Sequence, residues 1–371
     1  MRLFLIIIFI FSPFFKAMAF VENVIHGYSN CITCHYSPSG GDMLNDYGRS
    51  LSAELMSTWS KDGAEKSFGG FVKETEWMRV GGDLRTLQRY IDTPSFSERA
   101  LFLMQANVEV GLKYGKTMFV GTLGIVGGPN NYVGGPSDSI VKNDFISERH
   151  YVLVETSSTS RVRAGKFRVN FGINDPNHNR PIKRGLGFGS NSEVYNLEYT
   201  KFFDTGDILF NLSLGRIDLS RPNGDERSVS AKASHYLYGK SKLGFNYLYG
   251  EALTSRRHLL GAFGIKPLTE KSYILYELDY EDGKANFQSS GLRKIINHTR
   301  IGYEFFKGFK SYTLFDYQKS ISVADTQVTA PGIGLQWLPF PHFEVQIEYQ
   351  AMKRISEKVN HFGFIMVHSY F

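Results

Sequence analysis

Along most of the chain, apolar and polar residues alternate one by one. Met104, Ala106, Val108, Val110, Leu112 and Tyr114 take turns with Gln105, Asn107, Glu109, Gly111 and Lys113. Ile274, Tyr276, Leu278 and Tyr280 alternate with Leu275, Glu277 and Asp279, and Phe343, Val345, Ile347, Tyr349 and Ala351 with Glu344, Gln346, Glu348 and Gln350. A period of two puts each set on its own face of a β-strand. The runs are about ten residues long, which suits a tilted strand crossing a bilayer. From residue 77 onward about sixteen such runs can be counted.

The connectors carry a second pattern. Gly115-Lys116, Ser157–Ser160, Phe203–Asp207, Gly239-Lys240, Pro267–Glu270, Lys307-Gly308 and Pro339–Pro341 are short. Gly127–Asn143, Phe171–Asn191, Asp218–Glu226, Glu281–Arg293, Lys319–Gln327 and Lys353–Lys358 are longer, and the two kinds mostly alternate. Tight turns at one end and extended loops at the other mark a membrane barrel. So many strands are too many for one soluble sandwich, and no blade-length repeat supports a propeller. The chain closes on the aromatic-rich run Phe362–Phe371. The expected fold is all-β: a transmembrane antiparallel β-barrel of about sixteen strands.

The beginning of the chain follows other rules. Arg2, the apolar run Leu3–Phe11 and Ala17-Met18-Ala19 read as a secretory signal peptide over residues 1–19. Residues 42–56 read as a short helix with Leu44, Tyr47, Leu51 and Leu55 on one stripe. The expected division is 1–19 signal peptide, 20–70 a small α-helical monohaem cytochrome c segment and candidate barrel plug, and 71–371 barrel.

The haem assignment rests on both cysteines of the chain falling in Cys31-Ile32-Thr33-Cys34-His35. C-x-x-C-H is the attachment pattern for c-type haem. Two thiols three residues apart can form thioethers with the two vinyl groups of one porphyrin, and the adjacent His35 then reaches the iron. The alternatives are a Cys31–Cys34 redox disulfide, which would want a βαβ setting, or half of a zinc site, which would want further ligands. For the distal position Met43, Met56 and His26 are candidates, and His178 is a remoter one. Arg49 is a candidate partner for a haem propionate.

Composition sharpens this picture. Aromatic residues make up 15% and glycines number 37, which is unusual for a cytoplasmic enzyme. A net charge of +6, with no dense basic run, gives no case for nucleic acid. The strand Arg161, Arg163, Lys166 and Arg168 is basic, and inside a barrel it would form an anion-selective constriction or a solvated face. The loop Asn174–Gly189 would fold inward or cover the rim.

The order of parts resembles a known group. Cys31–His35 followed by Leu44-Asn45-Asp46-Tyr47-Gly48-Arg49 is similar to the N-terminal segment of fused monohaem cytochrome–porins, whose described members are outer-membrane iron oxidases. The insert Pro38-Ser39-Gly40-Gly41 departs from the iron-oxidase pattern. Gly165–Gly172 resembles an element of phosphate-selective porin O/P-like barrels. This resemblance implies an outer-membrane protein in contact with lipid. A covalent haem c would carry electrons between the exterior and a periplasmic carrier such as a soluble cytochrome, with an extracellular redox donor or acceptor. The alternative is a general or anion-preferring porin whose haem segment is a sensor or plug.

Overall fold

About sixteen strands with one apolar and one polar face are too many to cover a single soluble core, and they close into a cylinder with the apolar faces outward. A computed structural model describes residues 21–61, 63–66, 70, 72, 75–126, 144–189, 192–215, 226–237, 240–285, 291–321, 325–355 and 357–371. The signal peptide expected over residues 1–19 and the connector Gly127–Asn143 lie outside them. The first strands are β1 (Met78–Asp92), β2 (Ser97–Tyr114), β3 (Thr117–Val126), β4 (Asp144–Ile146), β5 (His150–Ser157), β6 (Ser160–Arg168), β7 (Glu193–Phe203) and β8 (Gly206–Gly215). They continue with β9 (Arg227–Leu237), β10 (Ser241–Ala252), β11 (Ser255–Pro267), β12 (Ser272–Ala285) and β13 (Leu292–Phe306). The last are β14 (Phe309–Ile321), β15 (Thr326–Phe340), β16 (Phe343–Arg354) and β17 (Asn360–Tyr370).

The named pairs are antiparallel, and β1 closes the ring on β17 from Asp83 opposite Tyr370 to Asp92 opposite His361. Both β4 and β5 pair with β3. They are two pieces of one stave, so the barrel has 16. Among the described residues no helix is long and apolar enough to cross a membrane; this chain crosses with strands.

Polarity is inverted relative to a soluble protein. On β12, Leu278 is 41% exposed on the outer face while Glu277 and Asp279 are 0% and 1% exposed inside. The same holds for Val108 and Val110 against Asn107 and Glu109, and for Ile347 and Tyr349 against Gln346 and Glu348. Leu and Val turned outward at mid-strand are stable only where lipid replaces water. At the tight-turn end, exposed Tyr114, Phe203, Phe306 and Phe340 form an aromatic belt, with Trp59 edge-on to Trp337 at 5.7 Å.

Three sequence expectations need correction. First, most strands are longer than about ten residues: β2 has 18, and β1, β13 and β15 have 15 each. They run past the hydrocarbon layer, where both faces meet water and alternation stops. The connectors expected over Glu281–Arg293 and Lys319–Gln327 shrink accordingly. Second, Ala252 pairs with Ser255, so a two-residue turn at the long-loop end, Leu253-Thr254, joins strands that the pattern left undivided. Third, the helix starts at Asp46 rather than residue 42 and continues as a π turn over Ser52–Met56. Leu44 instead bridges His35 in antiparallel fashion. With 3₁₀ turns at Val21–His26 and Cys31–Thr33, this segment is less helical than expected.

The lumen is occupied from two directions. Residues 21–59 sit in the tight-turn mouth. Thr58 and Trp59 donate their backbone N–H groups to the Leu338 and Pro339 carbonyls at 2.8 and 2.9 Å. Lys310 Nζ reaches Asn23 Oδ1 at 3.1 Å, and His26 Nε2 lies 3.0 Å from Glu304 Oε2. From β6 the chain then folds inward over Phe171–Gly189 rather than covering the rim. Arg180 grips Glu348 with two bonds of 2.9 and 2.5 Å. Glu277 accepts the Ile173 N–H at 2.7 Å. The loop needs Gly172 for this: its φ is +64°, and a Cβ there would overlap the Glu277 carboxylate. Loop and segment touch, Asn174 Nδ2 donating to the Ser39 carbonyl at 2.7 Å.

Candidate functional site

The C-x-x-C-H run forms one 3₁₀ turn because Asn30 caps it, its side chain accepting the Ile32 N–H at 3.3 Å. Cys34 and His35 donate their N–H groups back to the Cys31 carbonyl at 3.2 and 3.1 Å. Both thiols thus stand on one turn, and no disulfide joins them. Cys34 is buried with Tyr28, Leu44, Leu51, Met56, Leu338 and Tyr370. Cys31 lines a cleft of about 630 Å³, part of it open to solvent, with Asn170, Asn174, Asp207, Lys232 and Lys242. Burial raises the Cys31 thiol pKa, and Lys242 and then Lys232 pull it back.

The Leu-Asn-Asp-Tyr-Gly-Arg element clamps this turn. Asn45 is the N-cap of the helix, accepting the Gly48 N–H at 2.9 Å, while its Nδ2 donates to the carbonyls of Thr33 at 2.9 Å and Ile32 at 3.3 Å. Gly48 lies flat on Cys34; a Cβ there would come within 2.9 Å of the Cys34 Cα and Cβ. Tyr47 and Tyr28 share a hydroxyl contact of 3.2 Å. Arg49 is buried and donates to the Val80 carbonyl at 2.9 Å, tying the helix to β1. Asn45→Ala removes a cap and two cross-links. We expect a loss of about 1–2 kcal/mol, read as faster limited proteolysis within residues 21–59. Asn45→Asp, which keeps the cap, is expected to fall between the two.

His35 is the most telling group. Its Nδ1 lies 2.5 Å from the Asp42 carbonyl. A carbonyl oxygen only accepts, so Nδ1 carries the proton and Nε2 presents its lone pair. Burial lowers the His35 pKa, with the Asp42 hydrogen bond opposing it, which favours the neutral ring. A ligating histidine needs this state and this second hydrogen bond. Two thiols on one turn, an apolar shell around Cys34 and a tautomer-fixed imidazole make a donor set that fits a covalent haem. Cys31 and Cys34 would hold the porphyrin edge and His35 the iron. Among the described residues no group of three or more His, Cys, Asp or Glu is placed to hold a bare metal ion, so the zinc alternative has no ligand set there.

The other sequence candidates are scattered. His26 is engaged by Glu304. Met56 shares the Cys34 cluster and accepts a long contact of 3.9 Å from Asn23. Met43 belongs to a different cluster on the wall, with Met118, Val120, Tyr151, Leu153 and Phe167. His178 sits in the inward loop, its pKa pulled down to about 4 by burial, then by Arg168 and Arg85. The basic strand does not offer a row of uncompensated charges. Arg161 meets Glu155 at 3.1 Å, Arg163 meets Glu198 at 3.0 Å, and Arg168 meets Glu193 at 2.6 Å. Lys166 lies on the same strand.

Sequence reasoning missed Asp42. Its carboxylate is held by Arg149 Nη1 at 2.9 Å, Tyr151 OH at 2.9 Å and Arg163 Nη1 at 3.4 Å. It also missed His342, buried in the turn between β15 and β16, whose backbone N–H donates to Ser52 Oγ at 3.0 Å. Burial, followed by the nearby Arg49, pulls His342 down to about 4. The unfolded chain, with its histidine near 6.5, takes up a proton first as pH falls. Stability present above about pH 6.5 is therefore lost between pH 6.5 and 4, by up to about 3 kcal/mol. His342→Asn, which tolerates the local φ of +62°, is expected to flatten that part of a thermal-stability profile against pH.

No protein-family model matches the chain, and no curated protein matches it. Solved structures match its fold. The outer-membrane-expressed OmpT of Vibrio cholerae aligns with a TM-score of 0.61 at 12% identity, over 81% of this chain and 99% of that one. The outer membrane channel DcaP of Acinetobacter baumannii gives 0.59 at 13% identity, over 81% and 99%. The anion-selective porin from Comamonas acidovorans gives 0.56 at 12% identity, over 79% and 99%. Likeness at these identities carries the fold: a porin-like barrel.

Proposed function

We propose, with a porin-like barrel as the premise, that this chain is a bacterial outer-membrane channel held shut by its own N-terminal segment, and that this segment is built to carry one haem c. One observation carries the reading. Val24 and Ile25 of the segment and Ile173 of the inward loop share a buried apolar core with Phe263, Ile265, Tyr273 and Leu275 of the wall. Such a core excludes water from a lumen that is elsewhere lined by Glu, Asp, Lys and Arg. Tight turns face the periplasm in barrels of this kind, so the segment would stopper the periplasmic mouth. The outward apolar face meets lipid. No anion preference is proposed, because Arg161, Arg163 and Arg168 are each matched by a carboxylate.

The haem part is tested by a pyridine-haemochrome spectrum of the purified chain. One covalent haem per chain is expected, lost in the double variant Cys31→Ser, Cys34→Ser. A colourless wild-type protein would refute it.

A second reading, electron transfer between an outside donor or acceptor and a periplasmic carrier such as a soluble cytochrome, is favoured by the His35–Asp42 bond, which suits an iron ligand. The hydrocarbon layer is about 30 Å thick, so one redox group at the turn end needs a partner or relay to span it. When the chain sits in liposomes with its long loops outward, prompt reduction by external ferrous iron supports this reading. No reduction counts against it.

A further inference from the structure

Asp42 connects His35 to the barrel wall through its own backbone and side chain. Its backbone carbonyl holds the His35 Nδ1 proton at 2.5 Å. Its carboxylate, nearly buried, is gripped from the wall by Arg149, Tyr151 and Arg163. Arg149 stands between β4 and β5, its carbonyl accepting the Thr122 N–H of β3 at 2.7 Å. Arg149 Nη1 also takes the neighbouring Gly41 carbonyl at 2.6 Å. Arg163 takes the hydroxyls of Ser37 at 2.7 Å and Ser39 at 3.0 Å. The whole turn between His35 and its bridge partner Leu44 is therefore held by barrel residues more than a hundred positions away in sequence.

A hydrogen bond to the second ring nitrogen fixes the tautomer and orientation of a metal-bound imidazole and raises its basicity. Here the acceptor of that bond can shift only as far as the Asp42 carboxylate lets it. We propose that Asp42 is a positioning residue through which the barrel wall sets the His35 imidazole: Arg149, Tyr151 and Arg163 fix Asp42, and Asp42 fixes His35. This rests on the haem reading above. It makes the redox potential of the site depend on docking. With the turn gripped, His35 would be the stronger donor to a bound haem iron and would favour its ferric state; with the grip loosened, the imidazole would be less basic and the potential higher.

The test uses the full chain in detergent, as wild type, Tyr151→Phe, Asp42→Asn and Arg149→Lys. Three quantities are measured: covalent haem content, midpoint potential by spectroelectrochemical titration, and ferric EPR g values. Tyr151→Phe and Asp42→Asn are expected to keep wild-type haem content, shift the potential upward and move the g values. Arg149→Lys, which keeps the charge but not the fork that reaches Asp42, Gly41 and Glu109, is expected to fall between wild type and Asp42→Asn. Haem content, potential and g values all unchanged in both Tyr151→Phe and Asp42→Asn overturn the proposal while leaving the haem reading intact. A wild-type chain without covalent haem overturns the haem reading itself, and the proposal with it. Should Asp42→Asn not fold, Tyr151→Phe, which removes a single hydroxyl, decides alone.

Discussion

Replacing Arg163 by alanine is expected to unseat the N-terminal segment and open the barrel. The side chain is 1% exposed and lies within 3.4 Å of Asp42 and 3.0 Å of Glu198. Its guanidinium also covers the Phe167 ring at 3.7 Å. Removing one partner from a buried charge cluster takes from Glu198 its arginine and leaves Asp42 with Arg149 and Tyr151 alone, at a cost of about 3–5 kcal/mol. That cost falls on the docked state, because Asp42 returns to water when the segment leaves. The docking equilibrium should therefore move by a factor of about 10²–10⁴. Conductance steps in a planar bilayer, together with protease sensitivity within residues 21–59, report it. Arg163→Lys is expected to lie between, since a lysine keeps the charge but not the fork that reaches Asp42, Glu198 and the two serines at once.

The second large effect is on the outside. Leu278 lies at the middle of β12 and faces lipid, between the inward Glu277 and Asp279. Leu278→Arg places a cation near the bilayer midplane, where it destabilises a barrel by about 2–4 kcal/mol. The expected readout is a lower urea midpoint for folding in lipid vesicles and poor recovery from membranes. Leu253→Arg is the control. That leucine is 79% exposed in the outer turn beyond β10, and arginine there is expected to leave the midpoint close to wild type. Equal effects at both positions would contradict the membrane-spanning assignment of β12.

The barrel was legible because its polarity rule is simple: lipid on one face, lumen on the other, a period of two. Where that rule ends, the reading ended too. Strand ends beyond the hydrocarbon layer, such as Arg293 on β13 and Lys319 on β14, carry polar residues on both faces and read as loop. The break between β4 and β5 leaves no periodic mark, since Ser147, Glu148 and Arg149 look like an ordinary polar stretch. The inward course of Phe171–Gly189 had a signal: Phe171, Ile173, Ile182, Leu186 and Phe188 are too apolar for an outside loop, and all are buried.

The site divides in the same way. Cys31, Cys34 and His35 announce themselves by chemistry and spacing. Asn45 was readable as a helix cap, which would have moved the helix start from residue 42 to Asp46. Asp42 was not readable, because its partners Arg149, Tyr151 and Arg163 meet it only through barrel closure. Arg163 stood out only as part of a basic run, and its contacts with Ser37, Ser39, Asp42 and Glu198 are made only through barrel closure and docking.

The central claim is that the chain closes its own barrel. Its most direct test is the conductance of the full-length wild-type protein in a planar lipid bilayer. The account predicts insertion without steady porin-sized current steps, and such steps on Arg163→Ala. Steady open-channel currents from the wild type, unchanged by that substitution, would contradict it.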